Sequence, residues 1–107
     1  MPRWTEELGA FALDLNGNVT LASPLAEQIA GLDLTALLDQ HFLQFIAPDE
    51  RDEAQAIFEK AVQGHKVQGV RQIVIAGGDQ LTVGFTVQPD REEHGTIVGV
   101  TGTVWRE

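Results

Sequence analysis

Phe11, Leu13 and Leu15 alternate with Ala12 and Asp14, the two-residue period of a strand with one buried face. Asn16-Gly17 follows. It reads as a hairpin with a type I′ turn, which needs two residues tolerant of positive φ. Val19 to Leu21 then returns as a second strand. Ser23-Pro24 opens a helix, serine as cap and proline at the first helical position. Leu25 and Ile29 share its apolar face, and Gly31 stops it. Asp33 starts a shorter helix carrying Leu34, Leu37 and Leu38. Phe42, Phe45 and Ile46 keep helical spacing, but residues 39–47 also read as a series of turns.

Pro48 drives Ala47 out of helical geometry. Asp49 can cap the helix that follows, and Glu50, Asp52 and Glu53 complement its positive end. Ala54, Ile57, Phe58, Ala61 and Val62 form a single apolar stripe, and Gly64 ends it. Val70 to Ile75 is rich in β-branched residues and reads as a strand, with Gly77-Gly78-Asp79 as a turn. Leu81, Val83, Phe85 and Val87 alternate with Thr82, Gly84, Thr86 and Gln88. Asp90 to Gly95 is polar, and Thr96 to Trp105 forms a last strand. Two adjacent hairpins make these three strands antiparallel neighbours. The fold class is α+β, with helices packed on one face of the sheet. Residues 1–8 form a lead-in, in which Thr5-Glu6-Glu7 suits a helix start, and residues 9–107 form one domain.

Composition sharpens this picture. A chain of 107 residues suits a single core and buries roughly two thirds of its unfolded surface. Apolar residues make up 43%, as in a globular domain. Sixteen acidic residues against seven basic ones give a formal charge of -9. That balance argues against nucleic acid, which calls for clustered Lys and Arg, and against an anionic membrane surface. No apolar run approaches the ~20 residues of a membrane span, and Met1 to Glu7 lacks the apolar core of a signal peptide. The expected location is cytoplasmic, although a piece of a membrane receptor would read the same way. Cysteine is absent, which removes disulfides, thiolate nucleophiles and thiolate-bound metals.

Three phrases now matter together: Asp14-Leu-Asn-Gly-Asn18 between the first strands, Pro48-Asp-Glu50 before the longer helix, and Gly95-Thr-Ile-Val-Gly99 opening the last strand. In this order and spacing, residues 9 to 105 resemble a PAS domain. The resemblance implies a five-stranded antiparallel sheet in the order 2-1-5-4-3, cupping a pocket beneath the helices. It implies a sensor of small molecules, light or redox state, often dimeric, serving a kinase, cyclase or transcription output as in two-component systems. The chain departs from the pattern at its end, where many members carry Asp-Ile-Thr and this chain has Thr103-Val-Trp-Arg-Glu107. It also has Ser23 where many carry Asn.

Candidate chemistry narrows further. Phe42-Leu-Gln44 is similar to part of the flavin-binding phrase of light-sensing PAS relatives, but their adduct needs a cysteine. A flavin held without a covalent bond is the lesser alternative. Haem is disfavoured, since haem-binding relatives place their axial histidine on the longer helix and residues 50–63 contain none. His41, His65 and His94 read as exposed or capping residues. Asp49, Glu50, Asp52 and Glu53 read as a solvated helix start rather than a metal site. Asp14 is the one carboxylate on the first strand, where burial would raise its pKa; alone it is not an active site. No hydrolytic serine context or phosphate loop is present, and the reading is non-enzymatic.

Two functional expectations stand. The first is a ligand-sensing module whose pocket is lined by Leu38, Phe42, Phe45, Ile57, Phe58, Val83 and Phe85. Few polar groups belong to this set, so its ligand would be apolar or flat. The same residues could instead fill the core. The second is an interaction module, with Trp4 and Trp105 as candidate homodimer contacts, since tryptophan is enriched at interface hot spots. Packing of both within one chain is the competing reading.

Overall fold

The computed structural model describes residues 8–74 and 78–107. The expected lead-in up to Glu7, with Trp4, and the turn residue Gly77 lie outside the described residues, as does Ile75 at the end of a predicted strand. Strand β1 (Gly9–Asp14) and strand β2 (Val19–Ala22) form the first hairpin. Helix α1 (Pro24–Ala30), the short helix α2 (Leu34–Leu37) and a 3-10 turn at Phe42–Phe45 follow. A second 3-10 turn, Pro48–Glu50, leads into helix α3 (Arg51–Val62). Strands β3 (Val67–Val74), β4 (Gln80–Arg91) and β5 (Ile97–Arg106) complete the chain. The sheet is antiparallel in the order β2-β1-β5-β4-β3, the order the resemblance implies.

Alternation decides which residues the helices cover. Leu13 pairs with Val100, Phe11 with Gly102, and Gly102 with Val87, so all five lie on one face. Leu13, Val87 and Val100 join Val19, Leu37, Phe58 and Ala61 in one buried cluster. The opposite face carries Thr86, Thr103, Gly84 and Trp105. Thr86 and Thr103 share a hydroxyl hydrogen bond of 2.6 Å.

The caps follow the sequence. Ser23 Oγ accepts from the Ala26 amide at 3.4 Å and Asp33 Oδ1 from the Ala36 amide at 3.0 Å. Gly31 ends α1 in the left-handed region. The buried residues of α1 are Ala26 and Ile29, and the Leu25 side chain is only partly covered.

Three local expectations are corrected. The first turn is not type I′: among the described residues Asp39 is the one non-glycine residue at positive φ. Asn16 therefore stays at negative φ, and the Gly17 amide closes a turn onto the Asp14 carbonyl at 3.0 Å. Asp49 lies inside the second 3-10 turn; the capping position of α3 is Glu50, whose side chain makes no capping hydrogen bond. Strand β4 runs into the predicted polar loop, because Asp90 still pairs with Gly99 and, after a bulge, Arg91 with Ile97. Among the described residues no helix is long and apolar enough to cross a membrane.

Candidate functional site

Between the sheet and the helices lie two adjoining cavities. The first, about 100 Å³, is roofed by Ala54, Ile57 and Phe58 of α3 and floored by Phe85, Val87 and Val100. The second, about 150 Å³, lies under α1 and α2 and is lined by Ala26, Ile29, Ala30 and Leu37, with Val19, Ala22, Phe45, Ile73 and Val104. Phe11, Leu13, Phe42 and Ile46 line both. Every lining side chain is apolar, so a molecule inside would be held by burial and dispersion alone.

The segment between the two helical regions positions the shared residues. The Phe42 amide donates to the Gly17 carbonyl at 3.0 Å, and the Val19 amide to the Gln40 carbonyl at 2.9 Å. His41 caps the first 3-10 turn, its Nδ1 accepting from the Leu43 amide at 3.2 Å. Its ring stacks on Phe42 at 5.0 Å between centroids, and Phe42 meets Phe58 at 5.3 Å. Ile46 bridges to Ile73 on β3.

Of the residues singled out from sequence, Phe42, Ile57, Phe58 and Phe85 meet around the first cavity, and Phe42 and Phe45 line the second. Leu38 and Val83 line neither. Leu38 follows the last residue of α2 with ψ at 136°; it turns outward, 38% exposed, while Leu37 takes the core place. Val83 is buried at 2% exposure, but it lies one inner-face step, about 6.6 Å, before Phe85 along β4. Phe11, Leu13, Ile46, Val87 and Val100 are lining residues that sequence reasoning did not select. Strand parity carried the signal for four of them, since each shares a face with a residue already placed in the core.

The lining also bears on cofactors. A flavin ring presents nitrogens and carbonyls that proteins engage by hydrogen bonds, and neither cavity offers a polar side chain for them. Pockets for drug-sized ligands run to about 300–1,000 Å³, larger than either cavity. No histidine lines either one, so the residues present do not fit haem ligation. His65 and His94 are exposed, and His94 Nε2 lies 3.4 Å from Glu93 Oε1. Among the described residues no three His, Cys, Asp or Glu side chains gather as a metal site would require.

Asp14 reverses its expectation. Its carboxylate is partly exposed and its pKa is lowered from the ordinary 3.8, above all by the Asn18 amide and also by the Asn16 amide. Oδ1 accepts from these at 3.0 and 2.9 Å. The carboxylate braces the β1–β2 turn in its charged form.

Comparisons with known proteins agree on the architecture. The PAS domain of a Colwellia psychrerythraea protein superposes with a TM-score of 0.86 at 19% identity, over 94% of this chain and 86% of that one. A light-oxygen-voltage domain from work on a flavin analogue gives 0.81 at 15% identity, over 98% and 80%. The PAS-B domain of Drosophila melanogaster Cycle, with bound ethylene glycol, gives 0.83 at 10% identity, over 92% and 99%. No curated protein matches the chain in sequence. The family model described as "PAS fold" matches residues 7–106. With that match and this sheet, the chain belongs to the PAS family, whose domains are generally sensory and signalling modules rather than enzymes.

Proposed function

We propose that this chain is a ligand-sensing PAS domain, binding a small apolar or flat molecule between its helices and its sheet. Occupancy would be relayed to an output domain (a kinase, cyclase or transcription regulator) elsewhere in a longer, cytoplasmic sensor. The observation that carries the reading is the pair of adjoining cavities lined wholly by apolar side chains. An apolar cavity of about 150 Å³ stays dry and accepts benzene-sized guests in a well-studied engineered case.

Native mass spectrometry of freshly purified protein, set against its denatured mass, tests the reading. Extra mass that leaves on denaturation supports it and sizes the ligand. Thermal shift with a panel of one- and two-ring apolar compounds covers a ligand lost in purification, because binding to the native state raises its stability by mass action. No added mass together with no shift across the panel counts against the reading.

A second reading has its own observation. On the sheet face away from the helices, Leu21 is 54% and Val70 46% exposed, and Trp105 lies part-exposed on the same face. A face of this kind suits a homodimer contact, with Trp4 as the further candidate. Replacing Trp105 with Ala would shift the native mass toward monomer if this face joins two copies. An intramolecular role predicts lost stability at unchanged mass.

A further inference from the structure

We infer that the free edge of β3, with the cationic groove beside it, is a docking site for a short, acidic, extended segment of a partner protein that adds to the sheet as a further strand. The inference is independent of the cavities between helices and sheet.

β3 is an outer strand of the sheet, with β4 on one side. Its far end is closed by the bridge between Ile46 and Ile73. From Val67 to Gly69, no described residue pairs with its other edge. Such an edge presents backbone N–H and C=O groups ready to pair with another chain, and proteins block it with proline, a bulge or a charge. Here the β3–β4 register is unbroken, and Val67-Gln-Gly69 carries neither proline nor charge. This stretch is open to strand addition.

Charge selects the occupant. The chain has sixteen acidic residues and seven basic ones, yet both of its lysines line one groove beside this edge. Lys60 and Gln63 of α3 form one wall; His65, Lys66, Val67 and Gln68 form the other, with no carboxylate among them. Among the described residues neither lysine is ion-paired. Glu59, next to Lys60, is engaged by Gln55 at 3.3 Å. A helix C-terminus favours a cation in its last turn, which accounts for Lys60. It does not account for Lys66, which stands past the helix and one residue before β3.

The two lysines flank the edge from opposite faces. Val67 pairs with Val87 of the core and faces the helices, as Lys60 of α3 does; Gln68 pairs with Thr86 on the outer face. Lys66 reaches that outer face, where it borders Thr86 and Gln88. Successive side chains of an added strand point to opposite faces. Two consecutive carboxylates would then meet Lys60 on one face and Lys66 on the other, while the backbone ladder supplies the common affinity. A chain of formal charge -9 repels a partner that is acidic throughout, so the fit is to a short acidic stretch.

The probe is a short, dye-labelled peptide of β-branched residues with two adjacent glutamates at its centre. It is titrated into the chain and followed by fluorescence anisotropy and backbone amide NMR. The expected result is binding that weakens with added salt, shifts the Val67, Gln68 and Gly69 amides, and slows the exchange of at least one of them. Replacing both glutamates with glutamine should cost about fivefold in affinity or more. Lys60→Gln and Lys66→Gln, both at exposed positions, should each cost about two- to fivefold with Tm unchanged. Equal affinity for the two peptides overturns the inference, as does binding that leaves the Val67, Gln68 and Gly69 amides unmoved, or no binding by either peptide. Tighter binding of a DNA duplex or of phosphatidylserine vesicles through the same lysines would assign the groove to phosphate. Self-association of the free chain that Lys66→Gln abolishes would assign the edge to a second copy. Either result also overturns the acidic-peptide assignment.

Discussion

The indole of Trp105 lies against Gly84 on the neighbouring strand, filling the place where a side chain would stand: a Cβ on residue 84 would meet the ring 2.3 Å away. The two residues are direct cross-strand partners, and Trp105 Nε1 donates to Glu107 Oε2 at 3.0 Å. Gly84→Ala should therefore dislodge the ring, with a loss of about 1–3 kcal/mol as for other overpacked sites. Urea denaturation measures the loss, and Trp105 emission in a Trp4→Phe background should move to longer wavelength. Unchanged stability with unchanged emission would mean that the ring does not rest there.

Asp14 links stability to pH. Its folded pKa lies below the ordinary 3.8 because the Asn18 and Asn16 amides favour the carboxylate. Folding therefore gains from the charged form above the unfolded value, and the gain disappears as pH falls through the lowered folded value. Asp14→Asn keeps an acceptor oxygen but loses the charge. At pH 7 it should be less stable by less than about 1 kcal/mol, since solvent screens a part-exposed carboxylate. Below the folded pKa of Asp14 the two proteins should converge. A difference that persists there would show that charge is not the cause.

Much of this was legible from particular residues. Leu81, Val83, Phe85 and Val87 announced a half-buried strand, and Ser23-Pro24, Asp33 and Gly31 set the ends of the helices through local hydrogen bonds and backbone preference. The cavity residues on the strands were less visible. Alternation shows that Leu13 and Val100 point inward, but only their pairing across β1 and β5 brings them to one place. Leu38 misled because a four-residue helix ends before its apolar spacing does. Asp14 misled because strand position implied burial, whereas a closing turn turns amides onto its carboxylate.

Gly17 holds the β1–β2 turn and the cavity segment together. It sits at φ 87°, in the left-handed region, and a Cβ there would stand 2.7 Å from His41 Nε2. Gly17→Ala meets both penalties. The left-handed conformation alone costs an L-residue about 1–2 kcal/mol, and displacement of the imidazole adds to it. The denaturation midpoint should fall accordingly, and the Leu43 amide should exchange faster as its bond to His41 weakens. A protected Leu43 amide in a destabilised variant would separate the turn from the cap.

Ala54 offers a test that raises stability. It is buried on α3 at 7% exposure and lines the smaller cavity. Ala54→Leu keeps a strong helix former at the position and places its added carbons in space now open. Cavity filling of this kind contributes about 0.5–2 kcal/mol, and for a domain near this size each kcal/mol raises Tm by roughly 4–8 °C. A fall in Tm would mean the space is not available to a side chain.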